Sequence, residues 1–98
     1  MDISDWRRKI DAVDTAMLQL INLRAELALE VGRLKKDNGI ALRAPAREQA
    51  IVARMKNANP GPLGGDAVSK IYTLIVKECT NAQRKHGFGV EKTKRRRN

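Results

Sequence analysis

The sequence predicts one long helix that carries two cationic residues placed to bind an anion. Arg24 interrupts an apolar heptad series between Leu20 and Leu27, and a guanidinium in such a seam needs an anionic partner. Lys35 follows eleven positions later, which returns to within about 20° of the same face, roughly 16 Å along the axis. The two long side chains can therefore converge on a small dianion. Taken singly, Arg24 also fits a register-setting residue or an internal ion pair with a glutamate, and Lys35 fits compensation of a helix dipole.

Further polar residues occur where later helices are expected to face the interior. Arg47 and Glu48 open a second helix, where the glutamate suits the positive helix end and the arginine opposes it. A residue that opposes the helix dipole at its own position indicates a function other than helix stabilisation. Cys79 and Gln83 continue the apolar stripe of a third helix at a spacing of four, although a glutamine there also fits the point where the stripe reaches solvent. Polar groups on facing helices build ligand sites in bundles, so we predict one here.

The element that positions the two cations is a helix predicted from Ser4 to Lys36. Asp2 or Ser4 is expected to cap its start, and Gly39 to end it as a left-handed residue. About 33 helical residues span roughly 50 Å, whereas a domain of about 100 residues is roughly 33 Å across. The helix therefore overhangs its own domain, and we expect a second copy of the chain to cover its seam, as a homodimer. The apolar members of the seam are Trp6, Ile10, Val13, Met17, Leu20, Leu27, Val31 and Leu34.

Two shorter helices complete the predicted fold. The second runs from about Pro45 to Asn57, because proline has the φ angle of a first helical turn. The third begins at Gly64 or Asp66, and Gly87 and Gly89 end it. No segment alternates apolar and polar residues over the length of a strand, so the sequence predicts an all-α chain with one long, one short and one medium helix. The expected stripe of the third helix starts with Ala67 or Val68, Ile71, Tyr72, Ile75 and Val76.

The composition fits one aliphatic domain without a metal site. Hydrophobic residues make up 42% of the chain, with one Trp, one Tyr and one Phe. A single Cys79 and a single His86 leave no ligand cluster for a metal. No apolar run or leader pattern indicates a membrane, so we expect a cytoplasmic protein. Of the net charge of +9, residues 91–98 carry +4; we expect residues 1–90 to form the domain and 91–98 a basic, disordered tail, with nucleic acid an unlikely partner.

Three segments of the sequence resemble those of a known enzyme family. They are WRRKIDAVDTAMLQLINLRAELALEVGRLKK, PAREQAI and IVKECTNAQ, within residues 6–83. Their order and spacing are similar to those of the all-helical class of chorismate mutases. The resemblance implies an intertwined homodimer of three-helix chains with two sites. It also implies a Claisen rearrangement of chorismate to prephenate, in phenylalanine and tyrosine biosynthesis, without a cofactor.

The resemblance carries over to individual site residues. Two positions depart from the family pattern: Ala44 stands where many members have Asp, and Cys79, which we also assign to substrate binding, stands where a small hydroxyl residue is common. These departures bear on the placement of the substrate and not on the reaction. The residues that match the family's functional positions are Arg7, Arg24, Lys35, Arg47, Glu48 and Gln83.

The resemblance also implies roles for these side chains. A pericyclic rearrangement requires no nucleophile, so the protein's tasks are geometric and electrostatic. Arg24 is expected to clamp a substrate carboxylate. Lys35 and Gln83 are expected to stabilise the negative charge that develops on the ether oxygen. Glu48 accepts from the substrate hydroxyl, and Arg47 either orients Glu48 or assists a carboxylate.

Arg7 is expected to clamp the other carboxylate from a second chain. It lies 17 residues before Arg24 and 28 before Lys35, which is roughly 25 and 42 Å along a helix. That is too far to reach a ligand held between those two cations in its own chain. An antiparallel partner helix, with its two-fold axis near Met17 and Leu18, would bring the second Arg7 into the site.

Other functions also fit parts of the pattern. The same scaffold resembles isochorismate pyruvate lyases. The chain also fits a domain severed from a fused enzyme of aromatic biosynthesis, or a regulatory partner of one. A basic helical nucleic-acid binder, a different class, would require cations on an exposed face, whereas Arg24 is predicted to lie in the seam.

Overall fold

The structure is a computed structural model that describes residues 1–89. It contains three α-helices, α1 (Ile3–Asp37), α2 (Pro45–Ala58) and α3 (Gly65–Lys85). No strand occurs among the described residues, so the all-α class and the order of long, short and medium helices are confirmed. Each helix begins and ends within two residues of its predicted place. The predicted tail, residues 91–98, lies outside the described residues.

Both ends of α1 follow the predicted chemistry. The Asp2 carboxylate accepts from the Asp5 backbone N–H at 3.0 Å, and the Asp5 carboxylate accepts from the Asp2 N–H at 2.9 Å. This reciprocal pair is a capping box, so Asp2 and not Ser4 is the cap. At the other end Gly39 has a φ of +66°, a conformation that glycine adopts without steric cost. The chain therefore leaves α1 sharply and can return toward it through α2.

Only the second half of α1 packs against the rest of the chain. Apart from Asp5, its buried and half-buried residues all lie between Arg24 and Lys35. The protein measures 64 × 25 × 21 Å along its principal axes, so the first half of α1 projects beyond the body formed by α2 and α3. The predicted overhang is therefore present.

The heptad seam of α1 differs from the face that packs within the chain. That packed face includes the half-buried Ala25, Ala28 and Leu29 and the buried Gly32. The eight apolar residues of the predicted seam each keep between 47% and 64% of their surface exposed. Despite this exposure, no helix in the described part of the chain is long and apolar enough to cross a membrane.

The third helix is the central element, because it packs against both α1 and α2. Its buried residues are Val68, Val76, Cys79 and Gln83, as the predicted stripe requires. The prediction was wrong for Ile71, which is 43% exposed in the single chain. Ile71 lies at the edge of the stripe, roughly 60° from Val68 on the side away from Val76.

A Schellman motif turns the chain back after α3. Gly87 has a φ of +92°, its N–H donates to the Arg84 carbonyl at 3.0 Å, and the Phe88 N–H donates to the Gln83 carbonyl at 3.0 Å. These are the two hydrogen bonds that define the motif. As a result Phe88 is directed back against α1, where it contacts Gly32.

Candidate active site

A cleft of about 290 Å³ lies where the second half of α1 faces α2 and α3. Apolar side chains from all three helices form much of its wall, among them Leu27, Val31, Ile51 and Val76. Arg7, on the projecting half of α1, is not among the lining residues. The cleft does bring together the remaining residues that the sequence predicts as a site, Arg24, Lys35, Arg47, Glu48, Cys79 and Gln83.

Lys35 is held in place by the loop between α1 and α2. Its Nζ donates to the Leu42 backbone carbonyl at 2.9 Å, and both residues line the cleft. Leu42 is itself buried, with 9% of its surface exposed. An ammonium group has three N–H donors, so two remain for a ligand. The lysine is thus fixed in position before any ligand arrives.

Gln83 is the buried polar residue of the site. Its side chain is 7% exposed in a wall of the cleft, and its Nε2 donates to the Ala28 carbonyl of α1 at 2.6 Å. An amide nitrogen carries two N–H donors. One is used by Ala28, and the other is left for a ligand without any need for protonation.

Glu48 is oriented by a residue that sequence reasoning missed. The Arg43 guanidinium donates from Nε to one Glu48 carboxylate oxygen at 2.8 Å and from Nη2 to the other at 3.0 Å. Such a fork fixes both the position and the plane of a carboxylate. The sequence left two roles open for Arg47, to orient Glu48 or to assist a carboxylate. In the structure Arg43 orients Glu48. Arg43 lies in an irregular loop, where helical periodicity gives no signal.

Arg24 reaches the cleft without a carboxylate partner among residues 1–89. It is half-buried, and none of the ion pairs among residues 1–89 involves it. The alternative of an internal ion pair with a glutamate is therefore not found in the part of the chain that the structure describes. A half-buried guanidinium in this position is suited to an anionic ligand.

The electrostatic balance of the cleft favours a dianion. Three cationic side chains line it, Arg24, Lys35 and Arg47, against the single carboxylate of Glu48. The Arg43 fork offsets that carboxylate's charge. Ala44 is the N-cap of α2 and has no side-chain hydrogen bond to the helix, so the positive end of the α2 dipole adds to the field at this wall.

A hydroxyl group lines the cleft next to Cys79. Cys79 is 5% exposed, and its neighbour Thr80 also lines the cleft. The Thr80 hydroxyl donates to the Val76 carbonyl at 3.1 Å, which leaves its oxygen lone pairs as acceptors. Sequence reasoning missed Thr80, although its position three residues before Gln83 puts the two on one helical face.

Comparison with known proteins identifies the fold and the family. The profile of chorismate mutase type II matches residues 6–84. This chain belongs to that family. The resemblance inferred from the three sequence segments is thereby confirmed. Among solved structures, the chorismate mutase of Thermus thermophilus (form II) is similar with a TM-score of 0.82 and 29% identity, covering 84% of this chain and 93% of that one.

Relatives of known sequence carry the same family domain in different contexts. The bifunctional chorismate mutase/prephenate dehydratase of Neisseria gonorrhoeae is 35% identical over 78 residues, which is 80% of this chain and 21% of that protein. The chorismate mutase of Methanocaldococcus jannaschii is 37% identical over 54 residues, which is 55% of this chain and 54% of that protein. The chain therefore spans about a fifth of the length of the bifunctional relative.

Proposed function

We propose that this chain catalyses the rearrangement of chorismate to prephenate. The observation that carries the proposal is a cleft in which two anchored donors, Lys35 and Gln83, face the same space as Arg24 and Glu48. Chorismate has two carboxylates, an ether oxygen and a hydroxyl, and each has a matching group here. Membership of the chorismate mutase type II family supports this assignment. A role in phenylalanine and tyrosine biosynthesis and a cytoplasmic location are part of the proposal.

Substrate binding is assigned to the arginines. Arg24 clamps one carboxylate, because the planar fork of a guanidinium suits a carboxylate better than an ammonium does. Arg47 assists a carboxylate at the N-terminal end of α2, since Arg43 already holds Glu48. Holding both carboxylates selects the compact chair-like conformer in which the two bond-forming carbons meet.

Catalysis is assigned to Lys35 and Gln83. As the ether C–O bond breaks, negative charge develops on that oxygen, and the remaining N–H donors of these two residues stabilise it. Both donors are tied to backbone carbonyls, so little reorganisation is needed when the charge appears. Preorganised donors of this kind contribute about 10²- to 10³-fold each to the rate.

Glu48 and the α3 wall are assigned to the other end of the substrate. The Glu48 carboxylate, oriented by Arg43, accepts from the chorismate hydroxyl. Cys79 and Thr80 contribute to substrate placement. In this assignment the Thr80 oxygen supplies a polar contact where the family commonly has a small hydroxyl residue at the position of Cys79.

The complete site is proposed to need a second copy of the chain. The exposed seam of α1 leaves apolar surface uncovered in the monomer. A groove of about 630 Å³ between α2 and α3, with Val52 and Val76 in its walls, adjoins the cleft through Glu48 and Thr80. The projecting half of a partner's α1 fits this surface, and it brings the partner's Arg7 to the cleft as the second carboxylate clamp.

The test is to offer the protein each candidate substrate and to identify the product. Chorismate should lose the ultraviolet absorbance of its enediol-ether system, and the product should be prephenate by mass and NMR. Pyruvate release from isochorismate, without prephenate formation from chorismate, would instead identify a lyase. Inactivity toward both substrates, together with salt-sensitive binding to DNA, would refute the proposal in favour of a nucleic-acid-binding function.

A further inference from the structure

The turn that follows α3 places the Phe88 ring at the same point of α1 as the carbon stem of Gln83. If a Cβ atom is built onto Gly32 of α1, it lies 2.9 Å from Cδ2 and 3.2 Å from Cγ of Phe88, and 3.3 Å from Cγ of Gln83. The Phe88 ring, the bare backbone of Gly32 and the Gln83 side chain therefore share a space with no room for one methyl group. Gly32 lies one helical turn after Ala28, whose carbonyl accepts from the Gln83 amide.

The backbone of the same turn fixes Gln83 a second time. The Phe88 N–H donates to the Gln83 carbonyl at 3.0 Å, within the Schellman motif that requires the positive φ of Gly87. Phe88 thus binds the main chain of Gln83 through its amide, while its ring lies beside Gly32 together with the Gln83 side chain. A glutamine side chain has several rotatable bonds, so it adopts other orientations easily when no neighbouring group restrains it.

The turn also supports the anchor of Lys35. Gly89 has a φ of +78°, and a Cβ built there lies 2.8 Å from Cδ2 of Leu42. Leu42 provides the carbonyl that accepts from Lys35. Two consecutive residues, Phe88 and Gly89, therefore pack near both groups that are assigned to the reacting oxygen.

We propose that Phe88 is a positioning residue for the reaction and that it acts through Gln83. This inference rests on the proposed function, because it assigns Phe88 to the same site. The Phe88 ring is not among the side chains that line the cleft. It acts by holding the Gln83 amide in the orientation that donates into the cleft. Positioning of this kind is effective because a displacement of about 1 Å costs on the order of 100-fold in rate.

The direct test is to truncate the ring and to measure kcat and KM separately. Phe88→Ala should lower kcat on the order of tenfold to 100-fold and change KM less than about threefold, since the carboxylate clamps are elsewhere. Phe88→Leu, which keeps an apolar group against Gly32, should recover most of the loss. His86→Ala is the matched control, because His86 lies in the same turn but is exposed, and it should leave both constants unchanged.

A double-mutant cycle distinguishes action through Gln83 from a general structural role. In a Gln83→Met background, Phe88→Ala should cost less than about twofold in kcat, because the group that it positions is already absent. Equal losses with and without Gln83, or an unchanged kcat in Phe88→Ala, would overturn the inference. If Phe88→Ala does not fold, Gly32→Ala replaces it. The added methyl favours the helical conformation, yet it must displace the ring and Gln83, so kcat should fall without a large loss of thermal stability.

A readout independent of turnover separates this inference from the proposed function. The side-chain amide of Gln83 gives a ¹⁵N–¹H resonance pair that is assigned by its loss in Gln83→Met. In Phe88→Ala this pair should move toward the shifts of a solvated glutamine, whereas in His86→Ala it should not move. An inactive wild type that shows this change would refute the mutase assignment and leave the contact between Phe88 and Gln83 established. An unmoved pair in Phe88→Ala would refute the positioning role, whatever the activity.

Discussion

Replacing Gln83 with glutamate should confine turnover to acidic pH. The amide nitrogen of Gln83 lies 2.6 Å from the Ala28 carbonyl oxygen. An ionised carboxylate there would bring two acceptors together without a proton between them. Only the protonated carboxyl could donate, either to Ala28 or to the ether oxygen of chorismate. The wild-type amide donates at every pH, so its pH profile should be flat over the same range.

The size of the effect follows from the burial of this position. Gln83 is 7% exposed, and burial beside a carbonyl oxygen raises the pKa of a carboxyl group. The cleft's cations oppose this shift, but Arg24 and Lys35 are only half-buried and solvent weakens their effect. The new carboxyl group is therefore expected to have a pKa above the usual glutamate value of about 4.3. Above that raised pKa, the kcat/KM of the variant should fall tenfold per pH unit.

The same proton should affect stability. Because the folded-state pKa of the new carboxyl is raised above its unfolded value, the folded chain binds the proton more tightly than the unfolded chain does. Relative to wild type, the variant should therefore be most stable below about pH 4.3 and lose stability as the pH rises through the folded-state pKa. Each unit by which the folded-state pKa exceeds the unfolded value corresponds to a loss of about 1.4 kcal/mol in the free energy of unfolding.

Initial rates on chorismate between pH 4.5 and 8.5, with urea unfolding at the same pH values, provide the assay. Gln83→Met is the control: it removes the donor without adding a titratable group, so its activity should be low and independent of pH. A flat profile for Gln83→Glu, at any level of activity, would show that position 83 does not donate to the reacting oxygen. If activity is confined to acidic pH but the free energy of unfolding does not vary with pH, the new carboxyl group is less buried than the Gln83 side chain.

Three further predictions concern the charged groups. Arg24→Ala should raise KM and lower kcat together while the protein stays folded, and wild-type kinetics would remove Arg24 from the site. Arg43→Ala should raise KM for chorismate by about three- to tenfold through loss of the forked hydrogen bonds that orient Glu48, and Arg43→Lys should not restore it, since an ammonium cannot form the fork. Mixing inactive Arg7→Ala and Lys35→Ala proteins should restore activity once subunits exchange, because each heterodimer keeps one intact site; exchange proven by mass without recovered activity would exclude a cross-chain Arg7.

Sequence reasoning located the helices and singled out several residues that line the cleft, because both depend on local signals. The apolar period, the Asp2 cap and Gly39 define α1 closely enough to place its ends within one residue. Once α1 is a helix, the spacing of Arg24 and Lys35 puts both on one face, and the structure places both in the cleft. Gln83 could be found in the same way, as a polar residue on an otherwise apolar stripe.

The features that could not be predicted depend on contacts between distant segments. Arg43 holds Glu48 from an irregular loop, where no periodicity gives the direction of a side chain. Phe88 reaches Gly32 only because Gly87 turns the chain back over α1. The face of α1 that packs within the chain is also not the heptad seam. Its small residues Ala25 and Ala28 give a weak apolar signal, and they are used because they let helices approach closely.

The central claim is most directly tested by the rate at which the purified protein converts chorismate to prephenate, measured beside Lys35→Met prepared in the same way. We predict that the wild type accelerates prephenate formation far above the uncatalysed rate. We predict that Lys35→Met loses about 10²- to 10³-fold in kcat while its secondary structure is retained. A wild type that does not accelerate the reaction, or a Lys35→Met variant with unchanged kcat, would contradict the account.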